Sequence, residues 1–268
     1  MDSFDHIIIT RFNLVHGFSK KNAVNDPNWL EERFYLFEKY CLPSVKSQSF
    51  QDFVWLIFFD ENLPEVFRDK LDEYCAEYKN IKPIFMGPFE FDLVRKACLS
   101  HCKSPFLITS RLDSDDIIGP EFVRTIQEHF NSQKDTLINL NTGFCYDSQT
   151  QFLYRVNEYR TNPFMSYIEE RNPTEIVKTV FIAPHDELKD YHNMMEIRDE
   201  PHWVIVIHNN NVINKLMGKV IYPTNKMKQQ LPFLTLSENR LTFLILRFKN
   251  LISTLTYFLK KAIKSCFK

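Results

Sequence analysis

The sequence predicts an α/β domain on a Rossmann-type mixed sheet flanked by helices, with an amphipathic helix added at the C-terminus. Three observations lead there. Apolar runs of strand length alternate with helix-period segments from residue 6 to residue 109, the pattern of a sheet wound by right-handed crossovers. The second half continues in shorter, less regular apolar runs, as a mixed-sheet extension would. The last 29 residues then carry one apolar stripe at 3.6-residue spacing.

The elements follow in order. His6 to Thr10 is a β-branched run and Phe53 to Phe59 (FVWLIFF) a continuous apolar run ending in Asp60, both fitting buried parallel strands. Between them, Asn28 to Ser44 reads as a helix with Leu30, Phe34, Phe37 and Cys41 on one side, Asn28 as its cap and Pro43 as its stop. Asp69 to Lys79 gives another helix, Lys82 to Met86 a third strand, Phe91 to His101 a third helix and Phe106 to Thr109 a fourth strand. Further strands are expected at Thr136–Leu140, Phe152–Arg155, Thr179–Ile182 and Val204–Ile207. In such a sheet the ligand crevice lies beyond the carboxyl ends of the strands.

Composition narrows the function. With 44% hydrophobic and 25% charged residues in 268, the chain is neither disordered nor collagen-like nor a multi-span membrane protein. Only 5 glycines are present and neither GxGxxG nor GxxxxGK[ST] occurs, which argues against Rossmann dehydrogenases and P-loop NTPases. Charge is segregated: residues 240 to 268 hold seven Lys/Arg and no acid, leaving 26 basic against 34 acidic residues elsewhere. That split points to a tail meeting anionic lipid and away from a nucleic-acid partner. The six cysteines form no CxxC pair, so reduced thiols in a cytosolic protein are expected, and Cys98, His101 and Cys102 read as a helix edge because no second zinc-spaced pair follows. The opening MDSFDHIIIT lacks a basic segment and reads as a strand, not a signal peptide.

The densest chemistry is Thr109-Ser-Arg111-Leu-Asp113-Ser-Asp115-Asp116, directly after the fourth strand. Clustered carboxylates repel one another and call for a compensating cation. If the strand continues, Asp113 and Asp115 point the same way and can share one hard divalent cation while substrate phosphates complete its shell. Asp115 or Asp116 capping a helix that begins near Pro120 is the alternative. Asp60 can accept hydrogen bonds from a base or ribose, or cap the next turn. Thr10 and Arg11 follow the first strand, where Arg11 can meet a phosphate or simply be solvated, and Arg111 can orient the carboxylates or reach a diphosphate. The run Trp203-Val-Ile-Val-Ile-His208-Asn-Asn-Asn211 ends a strand in an imidazole and three amides. His208 is either a nitrogen ligand for the same cation or a satisfied strand-end histidine, and Asn209 to Asn211 can bind hydroxyls. Among Glu196, Asp199 and Glu200, Asp199 is the candidate base for an acceptor hydroxyl. His185, Asp186 and His192 are weaker candidates.

A strand ending in SRLDSDD, preceded by HIIITRFN and WLIFFD and followed by W-x4-H-N-N-N-V, resembles the putative rhamnosyltransferase family of bacterial glycosyltransferases over roughly residues 5 to 220. The resemblance implies the GT-A fold, a nucleotide-sugar donor, and Mn2+ or Mg2+ bridging its diphosphate through Asp113 and Asp115 with His208 completing the metal site. It also implies transfer of a sugar, by the family's name rhamnose, to a hydroxyl of a polysaccharide or lipid-linked glycan. The alternative is a non-catalytic nucleotide- or glycan-binding protein on the same fold.

The expected organisation is a GT-A-like domain over 1–223, a polar connector over 224–239 and a basic amphipathic helix over 240–268. In the helix Leu241, Leu244, Ile245, Phe248, Ile252, Leu255, Leu259, Ile263 and Cys266 share a stripe, while Lys249 and Lys260 interrupt any span of ~18 uncharged residues. A helix lying in the interface of an anionic membrane is expected, with packing on the sheet or on a second subunit as the alternative. The expected location is cytoplasmic, peripheral on the inner membrane.

Overall fold

The computed structural model describes residues 2–15, 24–172, 175–208 and 215–266. In chain order, β1 (Phe4–Arg11) leads to α1 (Pro27–Leu36), a π-helical turn (Phe37–Cys41), α2 (Leu42–Lys46), β2 (Val54–Asp60), α3 (Glu65–Glu77), β3 (Ile81–Met86), α4 (Phe91–Ser100) and β4 (Phe106–Arg111). There follow β5 (Ile117–Ile118), α5 (Phe122–Glu128), β6 (Thr136–Leu140), β7 (Gly143–Asp147), β8 (Phe152–Val156), β9 (Ser166–Glu170), a 3-10 turn (His185–Asp190), β10 (Met194–Ile197), β11 (Trp203–Ile207), β12 (Lys219–Ile221), α6 (Asn225–Gln230) and α7 (Arg240–Cys266).

Seven strands form one sheet in the order β10-β6-β9-β4-β1-β2-β3, parallel except for β9. The β-branched and aromatic runs of β1, β2 and β4 are buried between helical layers, as parallel strands require. Ile9 lies opposite Leu56 on one side and Arg111 on the other, so Arg11, Asp60 and Arg111 all emerge at one carboxyl edge. A second, five-stranded sheet has the order β12-β8-β7-β11-β5. Two-residue β5, starting just after the Asp113–Asp116 segment, pairs antiparallel with β11 and joins the sheets beside that edge.

Gly143 sets how β11 sits. A Cβ there would lie 2.1 Å from the Trp203 ring, and the open space lets that indole stack on Phe164 at 5.2 Å and donate to the Leu140 carbonyl at 2.7 Å.

Several boundaries differ from expectation for local reasons. Asp26, not Asn28, caps α1, accepting from the Trp29 amide at 3.0 Å with Pro27 in the first turn. Pro43 does not stop the helix: it falls in the first turn of α2, directly after the π-helical turn, and the helix runs on to Lys46. Thr179–Ile182 is a turn, not a strand; Val180 and Phe181 are buried by packing on the sheet face and take no part in a ladder. Residues 224–239 are more than a polar connector, since α6 forms there and Leu231 and Leu234 are buried in a core with Tyr146 and Leu153.

The first turns of α7 rest on the β12 edge through Phe243, which meets the rings of Phe152 and Tyr222 at 6.1 and 5.4 Å, and through Asn250, whose Nδ2 donates to the Gly218 carbonyl at 3.0 Å. Leu246 packs on the same core. Leu241, Leu244, Ile245, Phe248, Leu251 and Ile252 are exposed. No described helix is long and apolar enough to cross a membrane.

Candidate active site

β4 ends at Arg111, and the chain then turns, the Asp116 amide donating to the Asp113 carbonyl at 3.2 Å. A turn rather than an extended strand carries the three carboxylates, and each takes different partners while all three act on Arg33. Asp113 lies against Arg111, whose Nη2 donates to Oδ2 at 3.0 Å and to Oδ1 at 3.3 Å. Asp115 Oδ2 receives Arg33 Nη1 at 2.8 Å and lies 3.2 Å from His208 Nε2. Asp116 is buried and accepts from the Val206 amide at 2.9 Å, which ties β11 to the turn two residues before His208. Neither Asp115 nor Asp116 caps α5, whose N-cap is Glu121.

Burial pushes the Asp115 carboxyl up, but Arg33 and His208 overcome it and hold the group well below the usual carboxylate range. Asp113 is likewise lowered against burial by Arg111 and Arg11. Asp116 is raised by burial and by its two acidic neighbours, which outweigh the Val206 amide and Arg33. Arginines thus compensate much of this charge, Arg111 as the sequence allowed and Arg33 and Arg11 beyond it.

Arg11 lies between two aromatic rings, 5.3 Å from the centroid of Phe89 and 5.3 Å from that of Phe181. Burial lowers its pKa, Asp113 opposes that, and Arg111 adds to it. Two guanidinium groups are therefore held near one carboxylate at the mouth of the sheet, an excess of positive charge suited to an anion. Thr10 is fully buried and its hydroxyl accepts from Trp55 Nε1 at 2.9 Å, so it faces the core. Asp60 Oδ1 accepts from Asn25 Nδ2 at 2.8 Å and from the Asn62 amide at 2.9 Å, while its own amide donates to Asn13 Oδ1 at 3.0 Å. Asp60 therefore does fasten its own turn, and it also ties Asn13 and Asn25 to the β2 edge.

Asp199 lies two residues beyond β10 on the same carboxyl edge as β4, accepting from His202 Nε2 at 2.9 Å. Three strand spacings separate β10 from β4, roughly 14 Å, so Asp199 is not grouped with Asp113 and Asp115. His185 is nearer: its pKa is lowered by burial and then by Arg111, and its Nδ1 donates to the Thr161 carbonyl at 2.6 Å. Asn209 to Asn211 lie outside the described residues.

Among the described residues no group of three or more His, Cys, Asp and Glu is arranged to hold a metal. Asp115 and His208 do supply a carboxylate and an imidazole on one point, with Asp113 close by. Two protein donors of this type fit a hard cation that takes its remaining ligands from substrate phosphates and water. Cys98 and Cys102 are buried, with burial pushing the Cys102 thiol up to about 11, and they form no part of the site. Sequence reasoning missed Arg33 and Asn25, which lie outside any motif, and Asn13, which ends the HIIITRFN segment without being singled out; all three are identified by their contacts.

The arginines and carboxylates gather beyond the carboxyl ends of a mixed sheet, the place where open α/β sheets bind their ligands. Residues 5–220 match the family described as Putative rhamnosyl transferase, and the chain belongs to that family. Searching curated proteins gives no match. Among solved structures, the chain is similar to S. aureus TarS residues 1–349 in complex with UDP-GlcNAc, with 13% identity over 77% of this chain and 60% of that one and a TM-score of 0.46. It is also similar to the mannosyltransferase PcManGT from Pyrobaculum calidifontis in complex with GDP-Man and Mn2+, with 7% identity over 50% of this chain and 34% of that one and a TM-score of 0.33. The chain thus spans about 60% of the TarS fragment it resembles.

Proposed function

We propose that the protein transfers a sugar from a nucleotide-sugar donor to a hydroxyl of a polysaccharide or lipid-linked glycan, with rhamnose the sugar its family name suggests. The observation that carries this reading is the pairing of Arg11 and Arg111 around Asp113 beside the Asp115–His208 contact. In this reading the arginines bind the donor's diphosphate and stabilise the charge that develops on the departing nucleoside diphosphate. Asp115 and His208, with Asp113 adjacent, hold Mn2+ or Mg2+, which supplies Lewis-acid assistance to that departure. Asp60 keeps Asn13 and Asn25 in place beside the nucleoside. Asp199, oriented by His202, accepts the proton of the acceptor hydroxyl across a gap that donor sugar and acceptor together fill.

Incubating the protein with UDP-, GDP- and dTDP-linked sugars and Mn2+ tests this by following release of the nucleoside diphosphate. Slow donor hydrolysis that stops on chelation is expected. No release from any donor, together with saccharide binding that ignores chelator, would establish the non-catalytic alternative instead.

The same reading places the protein in the cytoplasm, on the inner face of the membrane. Support comes from α7. At about 100° per residue, Leu241, Leu244, Ile245, Phe248, Leu251 and Ile252 fall within roughly 120° of arc, opposite Phe243, Leu246 and Asn250, which hold the helix to the body. Exposed Arg240, Arg247 and Lys249 flank the apolar arc. A helix serving only its own core would turn the stripe inward; here a minor face packs and the stripe faces out, the arrangement of an interfacial helix on anionic lipid.

A further inference from the structure

Arg33 makes the shorter of the two contacts to Asp115, yet it comes from α1, remote in sequence from every motif of the site. Its Nη1 and the imidazole of His208 approach the same oxygen, Oδ2. The guanidinium stands 5.7 Å from the centroid of the Trp29 ring, and its Nε is buried without a hydrogen-bond partner among the described residues. A group with five donors is therefore held with part of its capacity unused, against an oxygen that a cation shared by Asp115 and His208 would need. A guanidinium and a divalent cation on one carboxylate oxygen repel each other, so one must yield. The arriving donor brings a diphosphate, a bidentate partner for the displaced guanidinium.

We propose that Arg33 is a substrate-responsive latch: it neutralises Asp115 while the donor is absent and passes to the donor's diphosphate when cation and nucleotide bind together. The inference rests on the reading that Asp115 and His208 hold the cation. It makes Arg33 a positioning residue for Asp115 in the free protein and a diphosphate ligand in the complex. Its consequence is that cation alone binds weakly, nucleotide alone binds weakly, and each strengthens the other by the same factor, as linkage demands. The stacking surface of Trp29 lets the guanidinium pivot without leaving an aromatic face.

The test uses the full-length protein, with Mn2+ alone, UDP or GDP alone, and the two together, titrated calorimetrically into wild type, Arg33→Met and Arg33→Lys. For wild type, nucleotide should tighten Mn2+ binding by about tenfold, near the low end of ordinary coupling. Arg33→Met should bind Mn2+ alone more tightly than wild type and bind nucleotide with Mn2+ less tightly, so that the coupling collapses toward one. Arg33→Lys should fall between, and it serves as the folded reference should the methionine variant lose its circular-dichroism spectrum. Weaker binding of Mn2+ alone by both variants would make Arg33 a structural partner of Asp115 and overturn the latch. So would a wild type that binds Mn2+ equally well with and without nucleotide. If wild type binds neither Mn2+ nor any nucleotide, the donor-site reading itself fails.

Discussion

Replacing Leu244, Phe248 and Ile252 together by glutamine should release the protein from anionic vesicles while leaving its fold intact. These side chains are 58%, 64% and 48% exposed. Full burial of such a side chain stabilises by about 1.5–3 kcal/mol, so covering the exposed part contributes about 1–1.5 kcal/mol each, and the triple variant loses about 3–4 kcal/mol of membrane affinity. At 1.4 kcal/mol per tenfold, that is a partition coefficient lower by roughly two to three orders of magnitude. The tail's basic residues add about 1 kcal/mol each near anionic lipid. That share weakens as the Debye length shrinks from about 10 Å at 0.1 M salt to about 3 Å at 1 M. Sedimentation with phosphatidylglycerol vesicles at low and high salt separates the two contributions. Wild type should weaken with salt but stay partly bound, and the variant should be lost at high salt with its melting temperature unchanged. Equal binding of the two proteins would refute the reasoning. A wild-type dimer that the triple variant abolishes would also refute it, since the stripe would then be a subunit interface.

Three further outcomes are expected. Asp199→Asn should lower kcat by about 10²–10⁴, the usual contribution of a general base, with donor affinity retained; undiminished turnover removes Asp199 from the mechanism. Gly143→Ala should destabilise the protein by about 1–3 kcal/mol through overpacking against Trp203, read as a lower urea midpoint, and an unchanged midpoint would mean that β11 shifts freely. Burial holds buried His6 down to about 3, and its ring contacts Ser110 at 2.7 Å and Gln127 at 3.3 Å. Because the folded value lies below the unfolded one of about 6.5, the unfolded chain takes up the proton first. Stability is therefore full above about pH 6.5 and falls by about 2 kcal/mol between pH 7 and pH 5. His6→Gln should lose that slope in urea titrations, and an identical slope would contradict the assignment.

Most of the first half was legible because β1, β2 and β4 carry apolar runs, and parallel burial leaves no other use for one. Thr179–Ile182 looked the same and is a turn, since Val180 and Phe181 fill the sheet face near Arg11; an apolar run reports burial, not a ladder. β9 (SYIEE) was missed for the opposite reason. Its polar residues are employed inside the protein, Ser166 against Ser110 at 2.6 Å and Glu169 accepting from the Lys178 and Thr179 amides. At the site, the motif after β4 was readable as acidic but not its geometry, because a turn rather than a strand decides where Asp113, Asp115 and Asp116 point. Arg33 was invisible for a plainer reason. One arginine on a helix is ordinary, and only the packing of α1 across 82 residues of sequence makes it a partner of Asp115.

In the proposed function, Asp115 and His208, with Arg11 and Arg111, hold a nucleoside diphosphate through a divalent cation. Calorimetric titration of UDP, GDP and dTDP into wild type and Asp115→Asn, each in Mn2+ and in chelator, tests it most directly. Wild type should bind at least one nucleotide in Mn2+ and lose at least tenfold in affinity on chelation, a cost of about 1.4 kcal/mol. Asp115→Asn should bind as weakly in Mn2+ as wild type does in chelator, because the amide keeps the side chain's shape and loses its charge. Nucleotide binding unchanged by chelator, or retained in full by Asp115→Asn, would contradict the account.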